Sequence, residues 1–377
     1  MARFPENDII SLVRATPRFD LAESVGPSIR TAEWLDEISL SSLGDIPLDY
    51  ATAEGNPALR KAIANLHGVS PDDVVVTVGG MHALFLVSFI LCDREDDVVT
   101  TTPSFPLARS ALDVVGATVR TLTLSFDQAY RPDLAELPGL LSPRTRLVSL
   151  SSPQNPSGTS ITLETLEAVH AHMEARCPRA FLLVDETYRH AAYGDNPIAR
   201  SAVTLGPKII SVGSLSKCHG APGLRLGWIV TRDPELRRQL VVGKFNTVIC
   251  CSPVDELLAL KVLEHSDRIM VQRRVHLAQG LARTADWVTR NERFVDWVRP
   301  DAGALCCVRL RPSVFDDLAV RRFYQVLVSE DVRVAEGAWF GDEARVFRLG
   351  FGLLSVSDLD AGLERLAAAL RRAAPAG

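Results

Sequence analysis

Ser214-Leu215-Ser216-Lys217-Cys218-His219-Gly220-Ala221-Pro222-Gly223-Leu224-Arg225-Leu226-Gly227-Trp228 is the stretch on which the reading of this chain turns. It overlaps the β-rich run KIISVGSL (208–215), which puts Lys217 at the carboxyl end of an apolar strand. Desolvation there disfavours the ammonium form, lowers the amine's pKa and frees it for attack on a carbonyl. Two hydroxyls, Ser214 and Ser216, precede it. A glycine-rich turn then leads to Arg225, whose planar fork can grip a phosphate bidentately. A lysine placed here by chance would snorkel its amine to the surface and need none of these neighbours.

Outward from this stretch, residues 74–230 alternate short β-rich runs with helical ones. VVVT (74–77), VVTTT (98–102), RTLTL (120–124), RLVSLSS (146–152), FLLVDE (181–186) and LGWIV (226–230) read as strands. ALFLVSFILC and LETLEAVHAHMEA have helical length and spacing between them. Such alternation predicts an α/β layer structure around a mostly parallel sheet, with ligands collecting beyond the strands' carboxyl ends. From about Asp255 the pattern changes. One long helical stretch (256–288) is expected to connect two domains. ALCCVRL, VRVAE and VFRLGF then read as strands, and LDAGLERLAAALRRA as an amphipathic helix, which suggests a smaller α+β domain.

The bulk numbers narrow the function classes. The chain has 377 residues, 47% hydrophobic and 23% charged, which is ordinary for a soluble globular protein. A formal charge of −5 argues against a nucleic-acid partner, which would want a basic face. The opening MARFPENDIISLVR lacks the layout of a secretory signal. The apolar run Ala83 to Cys92 is far short of the ~20 residues that span a bilayer. Seven cysteines without C-x-x-C or zinc spacing read as reduced core thiols in a cytoplasmic, membrane-free, metal-free protein.

Three more motifs fall at strand ends. Gly79-Gly80-Met81-His82 is a glycine turn feeding a helix, where free amides and the dipole favour an anion; alone it reads as a plain turn. It does not match G-x-G-x-x-G, so a nicotinamide site gains no support. Asn155-Pro156-Ser157-Gly158 has the composition of a tight turn, and its proline rules out N-glycosylation. Asp185-Glu186-Thr187-Tyr188 closes the apolar run FLLV, where a carboxylate must find a partner. Ser214-x-x-Lys217 also fits penicillin-recognising serine hydrolases, but S-D-N and K-T-G are missing from the chain.

With these residues together, the chain resembles the fold-type I PLP-dependent enzymes, specifically the class I/II aminotransferases, from Gly26 to the C-terminal helix. S-x-S-K-x-x-G-x-P-G-x-R-x-G carries the resemblance, with N-P-x-G and D-E-x-Y at the family's spacing. The resemblance implies an aspartate-aminotransferase-like fold: a joining segment and substrate loop (1–45), a large cofactor-binding domain (46–270) and a small domain (271–377). It implies pyridoxal 5′-phosphate held as a Schiff base on Lys217, which also shuttles the proton. Asp185 would pair with the pyridine nitrogen, and Tyr188 and Asn155 with the ring's 3-oxygen. The amides of Gly80 and Met81, with Ser214, Ser216 and Arg225, would hold the phosphate. Phe105, in the family's P-x-Y-P position, would stack on the ring. Tyr50 would reach the neighbouring subunit's phosphate in a homodimer with shared active sites. Arg348, in VFRLGF, together with Asn155 and Gly26, would take the substrate α-carboxylate.

The loop Phe19–Pro27 lacks the family's glycine-rich wording, and its Glu23 could meet a basic substrate side chain or sit as a solvated loop acid. Met81 and Glu336 also depart from common family residues. His219 and Cys218, beside the lysine, carry no assignment. The implied activity is transfer of an amino group from an L-amino acid to a 2-oxo acid. The competing outcomes on the same residues are a lyase, cyclase, decarboxylase or oxidase. A PLP-binding regulator without turnover would need a DNA-binding domain for which this acidic chain leaves no room.

Overall fold

The computed structural model describes residues 4–13, 17–33, 41 and 43–375. The expected segment 1–45 and the opening fourteen residues therefore lie partly outside the described residues. In chain order the strands are β1 (Phe19–Asp20), β2 (Val74–Thr77), β3 (Asp97–Thr102), β4 (Thr118–Thr123), β5 (Thr145–Ser151), β6 (Phe181–Asp185) and β7 (Ile209–Ser214). They continue as β8 (Gly227–Thr231), β9 (Val295–Val298), β10 (Leu305–Leu310), β11 (Val332–Arg333), β12 (Ala335–Glu336) and β13 (Val346–Gly350).

Seven strands form the central sheet in the order β2-β8-β7-β6-β5-β3-β4. Only β8 runs against the rest, pairing antiparallel with β2 and β7. Alternate side chains of these strands divide between two helical layers, because a strand's side chains have a period of two. Val98, Leu147, Leu183 and Ile210 face the helices Gly79–Leu91, Pro106–Val115 and Pro234–Val248. Val99, Val148, Leu182 and Ile209 face the helix Leu163–Arg176 through Leu166, Val169 and Met173. Each fully buried Leu or Ile contributes about 2 kcal/mol. The expected large α/β sheet is present, with every parallel strand directing its carboxyl end to one edge.

The smaller sheet is antiparallel, ordered β12-β13-β10-β9. The buried faces of the helices Ser266–Arg290, Asp317–Ser329 and Val356–Ala373 share one core with it. Two expectations need correction. The long helix over 256–288 is two helices, Pro253–Glu264 and Ser266–Arg290, parted where the His265 backbone leaves the helical region at φ −101°, ψ 11°. VRVAE is not one strand: β11 pairs in parallel with β1, whereas β12 joins β13. Within β11 the Arg333 guanidinium turns to Asp20 at 2.6 Å and to the Ser11 carbonyl.

Past β1 the chain lies across the end of β13. Gly350 N–H donates to the Leu21 carbonyl at 2.7 Å. A Cβ on Gly350 would stand 1.8 Å from the Glu23 carbonyl oxygen, so only glycine permits this approach. Among the described residues, no helix is long and apolar enough to cross a membrane.

Candidate active site

A cavity of about 240 Å³ opens at the carboxyl edge of the large sheet. Ten residues singled out from sequence line it: Gly80, Met81, Phe105, Asn155, Asp185, Tyr188, Ser214, Ser216, Lys217 and Arg225. A larger apolar groove, about 450 Å³, runs past Ile29, Leu224 and Leu258, but Lys261 is the one ionisable side chain on it. The chemistry converges on the smaller cavity.

One end of the cavity is built for an anion. The helices opening at Pro57, Leu163, Pro234, Pro253, Asp317 and Val356 each have a side-chain cap on their first amides. The helix Gly79–Leu91, which opens onto the cavity, has no side-chain cap, leaving its first N–H groups and positive dipole end for a ligand. Ser214 and Ser216 stand beside it. Arg225 adopts a left-handed backbone (φ 49°) and lays its guanidinium against Gly79, where a Cβ would lie 2.5 Å from Nη2. Amides, hydroxyls and a guanidinium together match a phosphate.

The other end is built for a cationic ring and a reactive carbonyl. Asp185 ends β6 and accepts the Thr187 amide at 3.0 Å. Burial pushes its pKa up, against the pull of the Thr187 hydrogen bonds and the Lys217 charge. A buried carboxylate in that state gains from a protonated ring nitrogen. Lys217 lies three residues past the end of β7 rather than on it, in the loop that crosses the cavity floor. Burial pulls its pKa down to about 8, while Glu23 and Asp185 raise it and Arg348 lowers it. Its Nζ donates to Ser24 Oγ at 3.0 Å, and the Tyr188 hydroxyl donates to the same oxygen at 2.9 Å. Burial holds the Tyr188 phenol well above its ordinary value, and so protonated. A phosphate cradle, a buried carboxylate and a depressed lysine in one cavity fit pyridoxal 5′-phosphate.

Arg348 is 1% exposed, beside this cavity. Its Nη1 donates to Asn155 Oδ1 at 2.8 Å and its Nη2 to the Ala22 carbonyl at 2.5 Å, while Nε has no partner. This joins a strand of the small sheet to the N-P turn of the large one. Gly26 packs on Arg273 and shares a small void with Ser24, Tyr188 and Lys217. Glu23 lies between Ala22 and Ser24, half-buried. Tyr50 is 81% exposed and does not line the cavity.

Ser24 and Thr187 are the residues that the sequence reading passed over. Thr187 stood inside a quoted motif. Ser24 had no local signal: its hydroxyl meets Lys217 across 193 residues of chain.

The acidic pair at the end of β6 divides its tasks. Asp185 faces the cavity, whereas Glu186 turns behind it to Arg189 at 3.0 Å and to Ser201 and the Ala202 amide. His67 completes that buried network, accepting the Trp228 indole N–H at 2.9 Å. His219 and Cys218 prove to be packed residues. His219 Nε2 meets Ser266 Oγ at 3.0 Å, and burial lowers its pKa to about 4. Cys218 Sγ meets the Thr187 carbonyl, and burial pushes the thiol to about 11, which makes it a poor nucleophile.

Comparison with known proteins agrees with this geometry. Residues 25–366 match the family described as aminotransferase class I and II. Capreomycidine synthase of Streptomyces vinaceus is 30% identical, over 79% of this chain and 75% of that protein. A PLP-dependent aminotransferase from Streptococcus suis superimposes over 100% of both chains, with a TM-score of 0.90 and 26% identity. The PLP-dependent cyclase OrfR superimposes over 98% of each chain, with a TM-score of 0.86 and 26% identity. The chain belongs to the class I and II aminotransferase family and is a PLP-dependent enzyme.

Proposed function

We propose that the protein moves an amino group from an L-amino acid to a 2-oxo acid. The observation that carries this reading is the meeting of Lys217 and Arg348 on one short loop: Ser24 holds the amine and Ala22 holds the guanidinium. When bound, the cofactor supplies the carbonyl for a Schiff base and an electron sink for charge developing at the substrate's Cα. The rest is the work of this chain. Gly80, Met81, Ser214, Ser216 and Arg225 would anchor the phosphate, and Phe105 would cover the ring. Asp185 would keep the ring nitrogen protonated, and Tyr188 and Asn155 would reach the 3-oxygen. Arg348 grips the α-carboxylate in a planar fork, which orients the Cα–H bond. Lys217 Nζ then takes the proton from Cα as a general base, and its depressed pKa suits that task near neutral pH.

The same steps up to proton removal serve a second reading, cyclisation of the amino acid. The likeness to capreomycidine synthase and to OrfR favours it. A panel of amino acids, each tested with and without a 2-oxo acid, separates the two. Equal amounts of new 2-oxo acid and new amino acid, formed only when an acceptor is present, support transamination. Acceptor-independent conversion of the donor would replace it with the cyclase reading.

We also propose a homodimer with shared active sites. Leu48 and Tyr50 are 89% and 81% exposed, and Phe89, Phe245 and Val242 are exposed as well. An apolar surface of that kind suits burial against a second copy. Sedimentation equilibrium tests the stoichiometry, and a monomer would exclude sharing of Tyr50.

A further inference from the structure

The short segment that meets both Arg348 and Lys217 carries a charge that an α-carboxylate pocket does not need. Glu23 sits in the short run whose neighbours make the two decisive contacts: the Ala22 carbonyl accepts Arg348, and Ser24 Oγ accepts Lys217. The run is fixed on both sides. Leu21 N–H donates to the Arg333 carbonyl at 2.9 Å, and Gly350 presses on the Glu23 backbone. The Glu23 backbone therefore cannot move away from the site without breaking the Arg348 contact at Ala22. Among the described residues Glu23 belongs to no ion pair, whereas Asp20, three residues before it, pairs with Arg333. Burial is the main influence on Lys217, and Glu23 is the foremost of the charges that act against it. The carboxylate is thus close enough to be felt by the lysine yet unpaired.

A count of charges then decides what the pocket lacks. Arg348 brings one positive charge. A bound substrate's α-carboxylate takes it, and Lys217 is committed to the cofactor. Glu23 is left with a negative charge in a half-buried setting, where an unpaired charge is costly. An acidic side chain would add a third carboxylate to one guanidinium.

We propose that Glu23 selects amino acids whose side chain carries a cation, an amine or a guanidine, and rejects acidic ones. The inference rests on Arg348 as the α-carboxylate site, and it holds whichever reaction follows proton removal.

The test uses binding to the holoenzyme, read from the cofactor's absorbance, with α-methyl amino acids that have no Cα proton to lose. α-Methylornithine should bind about tenfold or more tighter than α-methylnorvaline, its neutral counterpart, and α-methylglutamate most weakly. In Glu23→Gln the cationic preference should fall to within about twofold, while the neutral analogue binds at least as tightly and so reports an intact fold. An unchanged preference in Glu23→Gln, or equal binding of cationic and neutral analogues to the natural protein, overturns the proposal. Arg348→Lys is the control on the underlying reading. If the neutral analogue binds Arg348→Lys as well as it binds the natural protein, the α-carboxylate assignment fails, separately from Glu23.

Discussion

The cavity's two walls have different origins. The wall that meets the phosphate and ring comes from the carboxyl ends of β5, β6 and β7 and the helix Gly79–Leu91, each continuing directly into its site residues. The other wall is backed by Leu21–Ser24 and Arg348, which stand beside the cavity and are joined by a hydrogen bond that spans 326 residues of chain. The first wall is set by strands buried on both faces, and its side chains have little freedom. The second is set by a loop that stays in place because Gly350 has no side chain and Arg348 reaches the Ala22 carbonyl.

That contrast can be broken at either wall. Lys217→Ala should have the largest effect, lowering turnover by about a thousandfold or more, because no other described group holds an amine at that point. Dialysis should then strip the cofactor from the variant, and full retention through a covalent bond would sink the Lys217 assignment. Arg348→Lys comes next. An ammonium cannot serve Asn155, Ala22 and a carboxylate in one plane, so kcat/KM should fall about a hundredfold, mostly through KM.

Ser24→Ala should cost about tenfold in kcat with little change in KM, since it leaves the Lys217 and Tyr188 donors without their acceptor. A change confined to KM would make Ser24 part of the substrate wall alone. The smallest effect is in pH. A lysine attacks a carbonyl only as the free amine, and burial lowers Lys217 from 10.5 to about 8. Cofactor capture by the cofactor-free protein should therefore speed up with rising pH and level off above about 8. In Glu23→Gln the midpoint should move lower, because the Glu23 charge favours the ammonium form. A midpoint near 10 would show that Lys217 is solvated.

The first wall was legible in the sequence for a physical reason. A phosphate cradle needs a glycine turn at a helix start, and a ring-nitrogen partner needs a carboxylate at a strand end. Both are local patterns, so Gly80, Asp185 and Arg225 could be singled out from their neighbours, and the family resemblance then implied their roles. Even there the reading was coarse: Lys217 belongs to the loop beyond β7, and Glu186, beside Asp185, serves a buried network with His67 and Arg189. Division of VRVAE between two sheets was invisible locally, because β11 takes its partner from β1, some 313 residues away in the chain, whereas β12 pairs with β13.

By itself the sequence determined the layered α/β sheet through its periodicity, and its contiguous motifs, through the family they resemble, pointed to the cofactor and to ten residues that line one cavity. Only the tertiary structure decided that Ser24 would hold Lys217 and Tyr188, that Arg348 would bridge Asn155 and Ala22, and that Glu23 would stand between them unpaired. Those contacts arise when β1 docks on β11 and the loop crosses Gly350, so they depend on the packing of distant segments and on no pattern within either one.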